Sequence, residues 1–305
     1  MSQTPPVSTN TDKVLQGTRI VSLALNLPGP AALMRCRQMG AQCIKLEPPA
    51  HPKAPSGAPG DPMGIYNRGV YDLLHQGVRV ATADLKTPDG QKRLEDELKK
   101  AHVLLTSSRP SALSKLGLDW KALHKRFPQL YHVSIVGAAG AASEIPGHDL
   151  TYLAENDLVM GLNLPATLYA DMGGSLMASE AILKARLMQL RGKKGRLFEV
   201  ALSTAAGYLA LPRQWKMTTQ DALLGGAHAG YRMYPCRDGR VAVAALEPHF
   251  AASLAKVAGL KGNDVMTMFM PDTKEKVASF FAALTCAELN ALARANDLPL
   301  HTLAD

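Results

Sequence analysis

The chain has 305 residues, 47% hydrophobic, 20% charged and 5% aromatic, with 34 Lys and Arg against 26 Asp and Glu for a net charge of +8. Such a length supports two domains with cores of their own, and this apolar content excludes a disordered chain. The positive balance favours anionic ligands. Without an Arg-rich run it points to a small polyanion, such as a nucleotide or coenzyme, and away from nucleic acid.

The first 13 residues, MSQTPPVSTNTDK, are polar and lack the apolar core of a secretory signal, so they read as a flexible tail. No run approaches ~18 apolar residues, so no membrane span is expected. Cys36, Cys43, Cys236 and Cys286 show neither CxxC spacing nor a cluster with histidines, which argues against zinc or a disulfide framework and for a reducing, cytoplasmic setting.

Arg19 to Leu25 (RIVSLAL) reads as a buried strand, closed by Pro28-Gly29-Pro30. Ala31 to Met39 is helical and Gly40 stops it; Gln42 to Pro49 is a second strand. Strand, helix and strand in ~30 residues make a βαβ unit, and the absence of GxGxxG disfavours a nicotinamide cofactor. Residues His51 to Asp61 form a mobile Pro- and Gly-rich surface loop, placed over a ligand or without a role. Strands follow at Val78 to Leu85, His102 to Ser108 and Leu130 to Gly137, with helices from Pro88 to Lys100 and around Trp120 to Arg126. The alternation predicts a doubly wound parallel sheet with ligands beyond the carboxyl ends of its strands. Arg79, Lys86 and Arg109 fall on or just after those strands, either as solvated surface charges or as a phosphate-binding set.

A helix is expected from Met172 to Arg191, then a strand and helix after Gly192. The composition of residues 217–230 is linker-like. Tyr231 to Leu246 reads as a hairpin turning at Asp238-Gly239, followed by helices near His249 to Val257, Lys274 to Leu284 and Ala287 to Asn296. The expected layout is a tail at 1–13, a large α/β domain at 14–216, a linker at 217–230 and a small α+β domain at 231–305.

The chemistry concentrates between Gly147 and Gly174, GHDLTYLAENDLVMGLNLPATLYADMGG. His148 and Asp171 stand on separate elements and form a two-base layout. Glu247, at the end of RVAVAALE, is a carboxylate suited to orient an imidazole. Asp171 has two readings, proton transfer or the N-cap of the following helix. Gly173 and Gly174 would let a ligand approach the backbone at that helix start.

Three segments, PGHDLTYL (Pro146 to Leu153), LYADMGGSLMASEAIL (Leu168 to Leu183) and YRMYPCRDGRVAVAALEPHF (Tyr231 to Phe250), resemble the family III CoA-transferase superfamily, and within it the α-methylacyl-CoA racemases. The resemblance implies that His148, Asp171 and Glu247 form a catalytic set for proton transfer at the α-carbon of a 2-methylacyl-CoA. It also implies coenzyme A as part of the substrate, no further cofactor or metal, and a homodimer. Transferases of the superfamily use the residue matching Asp171 as a nucleophile. A non-catalytic acyl-CoA binder is a third alternative. The chain departs from the family pattern at Val136 to Ser143 and at His75 to Arg79, two CoA-holding segments, and it stops at Asp305 where family chains normally continue.

Overall fold

The computed structural model describes residues 12–262 and 266–304, so residues 1–11 of the expected tail lie outside the described residues. The chain divides into two compact units between Ala210 and Leu211, ahead of the expected linker; residues 217–230 are turns with one 3-10 turn at Leu223–Gly225.

The first unit is built on six parallel strands: β1 (Arg19–Ser22), β2 (Gln42–Glu47), β3 (Arg79–Thr82), β4 (Val103–Thr106), β5 (Tyr131–Val136) and β6 (Leu197–Ala201). Their order is β3-β2-β1-β4-β5-β6, the doubly wound arrangement that the alternation predicts. Period-two geometry sends neighbouring apolar residues to opposite faces. Ile20 thus joins one core cluster and Val21 the other.

Helices cover both faces. On one side lie α1 (Pro28–Gln38), α7 (Asp149–Glu155), α8 (Tyr169–Leu190) and α9 (Leu202–Leu209), whose Leu33, Leu153, Ile182 and Ala206 share a cluster with Ile20. On the other lie α4 (Pro88–Leu98), α5 (Pro110–Lys115) and α6 (Trp120–Arg126), packed through Leu94, Leu113 and Leu123. Two short helices, α2 (Met63–Tyr66) and α3 (Arg68–Leu74), fill the β2–β3 connection. Local signals set the helix starts: Thr87 accepts from Gly90 N–H at 3.1 Å and Asp119 from Ala122 N–H at 3.0 Å.

The loop read as a mobile surface segment ends differently. Asp61 is fully buried and forms an ion pair with Lys45, itself fully buried on β2. Lys45 also contacts Glu47 at 3.0 Å and His75 Nε2 at 2.9 Å, while the Tyr71 hydroxyl donates to Glu47 at 2.9 Å. Buried charge is tolerated only when paired in this way.

The second unit holds α10 (Leu211–Gln214) and an antiparallel sheet of β7 (Tyr231–Cys236), β8 (Gly239–Ala244) and β9 (Leu300–Ala304), ordered β7-β8-β9. It is completed by α11 (Pro248–Val257), α12 (Pro271–Ala282) and α13 (Cys286–Asn296). Val241, Val243, Leu254, Val277, Phe281 and Leu289 form its core. No single helix among the described residues is long and apolar enough to cross a membrane.

Candidate functional site

β1 and β4 are the neighbours at which the strand order reverses, the place where a doubly wound sheet opens a crevice. Leu25 and Asn26 after β1, Ser107 and Arg109 after β4, and Val136 and Gly137 at the end of β5 wall a cavity of about 230 Å³ there. His148, Tyr152 and Asp171 also line it. The β1–α1 turn is pinned from two sides: Leu25 N–H donates to Ser107 Oγ at 2.9 Å, and Asn26 N–H donates to Asp61 Oδ1 at 2.9 Å. Asn26 has φ 63, a left-handed conformation that Asn tolerates better than most residues.

His148 immediately precedes α7 with extended backbone, and its side chain is exposed to the cleft mouth. The Thr151 hydroxyl accepts from the His148 N–H at 3.1 Å and donates to its carbonyl at 2.7 Å, which locks the backbone that carries the imidazole. The next residue, Asp149, is buried, and its Oδ1 accepts the Asp171 N–H at 3.0 Å. This bond ties the start of α7 to the start of α8 and fixes Asp171 beside a second carboxylate.

Asp171 does not cap its helix. α8 begins at Tyr169 after Leu168, so Asp171 lies within the first turn. Burial pushes its carboxyl up to about 6, the negative charge of Asp149 adds to the rise, and the charge of His148 offsets part of it. A carboxyl with its midpoint near 6 can both take and give a proton close to neutrality, as a two-base site needs.

Gly173 and Gly174 serve the packing of α8 on α9. A Cβ on Gly174 would meet Leu202 Cδ2 at 2.3 Å, and one on Gly173 would meet Ala205 Cβ at 3.3 Å. Because α8 starts at Tyr169, the amides of both glycines already point along the helix toward carbonyls four residues back. The expected close approach of a ligand to this backbone is therefore replaced by a close approach of α9.

The three cations separate. Arg109 lines the cleft as the residue preceding α5. Lys86 lies in the β3–α4 turn, where it lines another groove with Lys115. Arg79 is the first residue of β3, at the amino edge of the sheet, and binds Glu97 there together with Arg19 from the start of β1. A parallel sheet sends its amino and carboxyl edges to opposite sides, so Arg79 does not reach the cleft.

Sequence reasoning left Asp149 and Tyr152 without a role. Asp149 had a signal, its adjacency to His148 in the GHD segment. Tyr152 had none: its hydroxyl fills the space that a Cβ on Gly137 or Gly147 would claim, at 2.1 and 2.5 Å. In the second unit, β8 ends at Ala244 and Glu247 immediately precedes α11, accepting the Ala251 N–H through its carbonyl at 2.9 Å.

Two groups of the described residues bring three metal-ligating atoms within 4.8 Å. In Glu47, Asp61 and His75 the Lys45 ammonium already contacts all three. Cys236, Asp238 and Cys286 form the other, with the two sulfurs 3.6 Å apart across 50 residues of chain, a proximity that spacing alone did not reveal.

The model of CoA-transferase family III matches residues 15–305. The chain belongs to CoA-transferase family III. Among curated relatives, α-methylacyl-CoA racemase of Homo sapiens is 29% identical over 296 residues, covering 90% of this chain and 73% of the relative. Cinnamoyl-CoA:phenyllactate CoA-transferase of Clostridium sporogenes is 33% identical over 146 residues, 47% of this chain and 35% of the relative. The fold is that of a CaiB/BaiF family protein from Brucella suis, with a TM-score of 0.76 at 21% identity over 95% of this chain and 84% of that one.

Proposed function

We propose that this family III member is an acyl-CoA racemase or epimerase that moves a proton at the α-carbon of a 2-methylacyl-CoA. The observation that carries the reading is a carboxyl raised to about 6 at Asp171, sharing one cleft with His148. One group removes the α-proton, the C–H electron pair passes into the thioester as an enolate, and the other group delivers a proton to the opposite face. With the other enantiomer the roles exchange. The cleft of about 230 Å³ has room for the acyl end of such a thioester and not for the whole coenzyme. Arg109, which lines the cleft, is proposed to meet an anionic group there. Glu247, assigned by the family motif, is proposed to sustain the basicity of His148. A homodimer and a cytoplasmic setting belong to the same proposal.

Incubation with one enantiomer of a 2-methylacyl-CoA in deuterated water tests the reading. Deuterium should enter the α-carbon with loss of optical activity and without an acceptor acid. His148→Ala and Asp171→Ala should each abolish racemisation of both enantiomers while keeping exchange in the one whose proton faces the remaining group. Racemisation at the native rate in His148→Ala would sink the mechanism. A second reading, transfer of CoA through an acylated Asp171, is favoured by the similarity to the cinnamoyl-CoA transferase. Hydroxylamine trapping of acyl-Asp171 with no α-exchange would establish it instead.

A further inference from the structure

At the amino edge of the parallel sheet, away from the cleft, lies a groove of about 950 Å³ with Lys13, Arg19, Arg35, Arg37 and Arg79 in its lining. One carboxylate, Asp12, lines it as well, and a second, Glu97, bonds Arg19 and Arg79. The five cations therefore exceed the nearby acids by three charges. Among the described residues, Lys13, Arg35 and Arg37 form no ion pair.

The cations are seated rather than merely crowded. A Cβ on Gly77, whose φ is +75, would come within 2.9 Å of Arg37 Nη1, so the glycine leaves the slot in which that guanidinium lies. Gly40, at φ +94, does the same for the Lys13 stem at 2.7 Å. Arg35 Nε donates to Ser179 Oγ at 3.2 Å, and Glu97 grips Arg19 with one oxygen and Arg79 with the other. Buried Nε atoms of Arg19 and Arg37 have no hydrogen-bond partner, so each guanidinium keeps a donor unmet within the protein.

From this we infer that the groove binds a small ligand bearing a chain of two or more phosphate groups, at a site separate from the catalytic cleft. Guanidinium forks match phosphate oxygens in pairs, and cations from β1, α1, β3 and the segment before β1 fit several phosphates better than one. The lining has no aromatic ring on which a base could stack, so recognition is of the phosphate chain and not of a nucleobase or of single-stranded nucleic acid.

Calorimetric titration of the full chain with sodium tripolyphosphate tests the inference. One equivalent should bind, more weakly as salt rises, because the contacts are ionic. Arg37→Met should weaken binding at least about tenfold, the loss of one charge-assisted hydrogen bond. Lys13→Met, at an exposed position where folding is not at risk, should weaken it by a smaller factor. Arg109→Met should bind tripolyphosphate as the native chain does, and Arg37→Met should turn over acyl-CoA as the native chain does. The inference is overturned if tripolyphosphate does not bind, if it binds at several equivalents, or if both groove variants bind it at native strength. It is equally overturned if Arg109→Met is the variant that loses it, since the anion then occupies the cleft.

Discussion

Replacing Asp171 by Asn should make the protein more stable, and the size of the gain follows from the site. A carboxyl moved from the ordinary 3.8 to about 6 carries up to about 3 kcal/mol of excess free energy once ionised, at 1.36 kcal/mol per pH unit. Partial contact with solvent trims this to about 1.5 to 3 kcal/mol. The sign follows from linkage: the native carboxyl binds its proton more tightly than the unfolded one, so the penalty is fully present above about pH 6 and fades as pH falls toward about 4. Asn removes the charge at nearly constant shape and leaves the Asp171 backbone amide on Asp149. Urea unfolding should therefore show the variant more stable by about 1.5 to 3 kcal/mol at about pH 8, with the gap closing near pH 4. A gap that is absent at pH 8, or one that stays constant across the range, would refute the account of Asp171 as a carboxyl strained by burial and by Asp149.

Racemisation should follow a bell-shaped pH profile of kcat/KM with one limb near 6, because the working state holds one proton shared between His148 and Asp171. The profiles for the two enantiomers should superimpose, since both directions use the same total protonation; curves that diverge would separate the two groups. Arg109→Ala should weaken coenzyme A binding at the cleft by about 1.5 to 3 kcal/mol and raise KM for the acyl-CoA, whereas Arg79→Ala should leave that KM unchanged. Lys45→Met should destabilise the fold by about 3 to 5 kcal/mol in urea at neutral pH, because Glu47 and Asp61 are then buried without their cation. That loss should shrink on acidification as the stranded carboxylates take up protons.

The sheet was legible because its strands carry apolar runs bounded by Gly and Pro, and all six fall within or against the segments read from sequence. The start of α8 was not. Asp171 has the residue type of an N-cap, yet the first-turn amide is served by Asp149, which is 22 positions away in sequence and adjacent only after folding. The same separation hid the Lys45 network: Asp61 read as the end of a surface loop, and Tyr71 and His75 come to Lys45 only when the β2–β3 connection folds over β2. Arg79 misled through its position: it heads its strand, and the sequence shows that a cation adjoins a strand without showing which edge it marks. His148 and Asp171 were identified as a pair, but the carboxylate that tunes Asp171 needed the structure.

β9 went unread because its residues alternate weakly, and its partner β8 lies some 60 residues earlier. Its place in the sheet makes the last few residues unusually consequential for anyone handling the protein. β8 is central only while Leu300–Ala304 pair with it, and Leu303 packs its carbonyl against the bare Cα of Gly239 at the hairpin turn. Trimming five residues from this end would convert an internal strand into an open edge, with a row of unpaired amides and carbonyls ready to recruit a neighbouring molecule. Proteolytic nicking within Leu300–Ala304 should therefore be followed by aggregation rather than by local fraying.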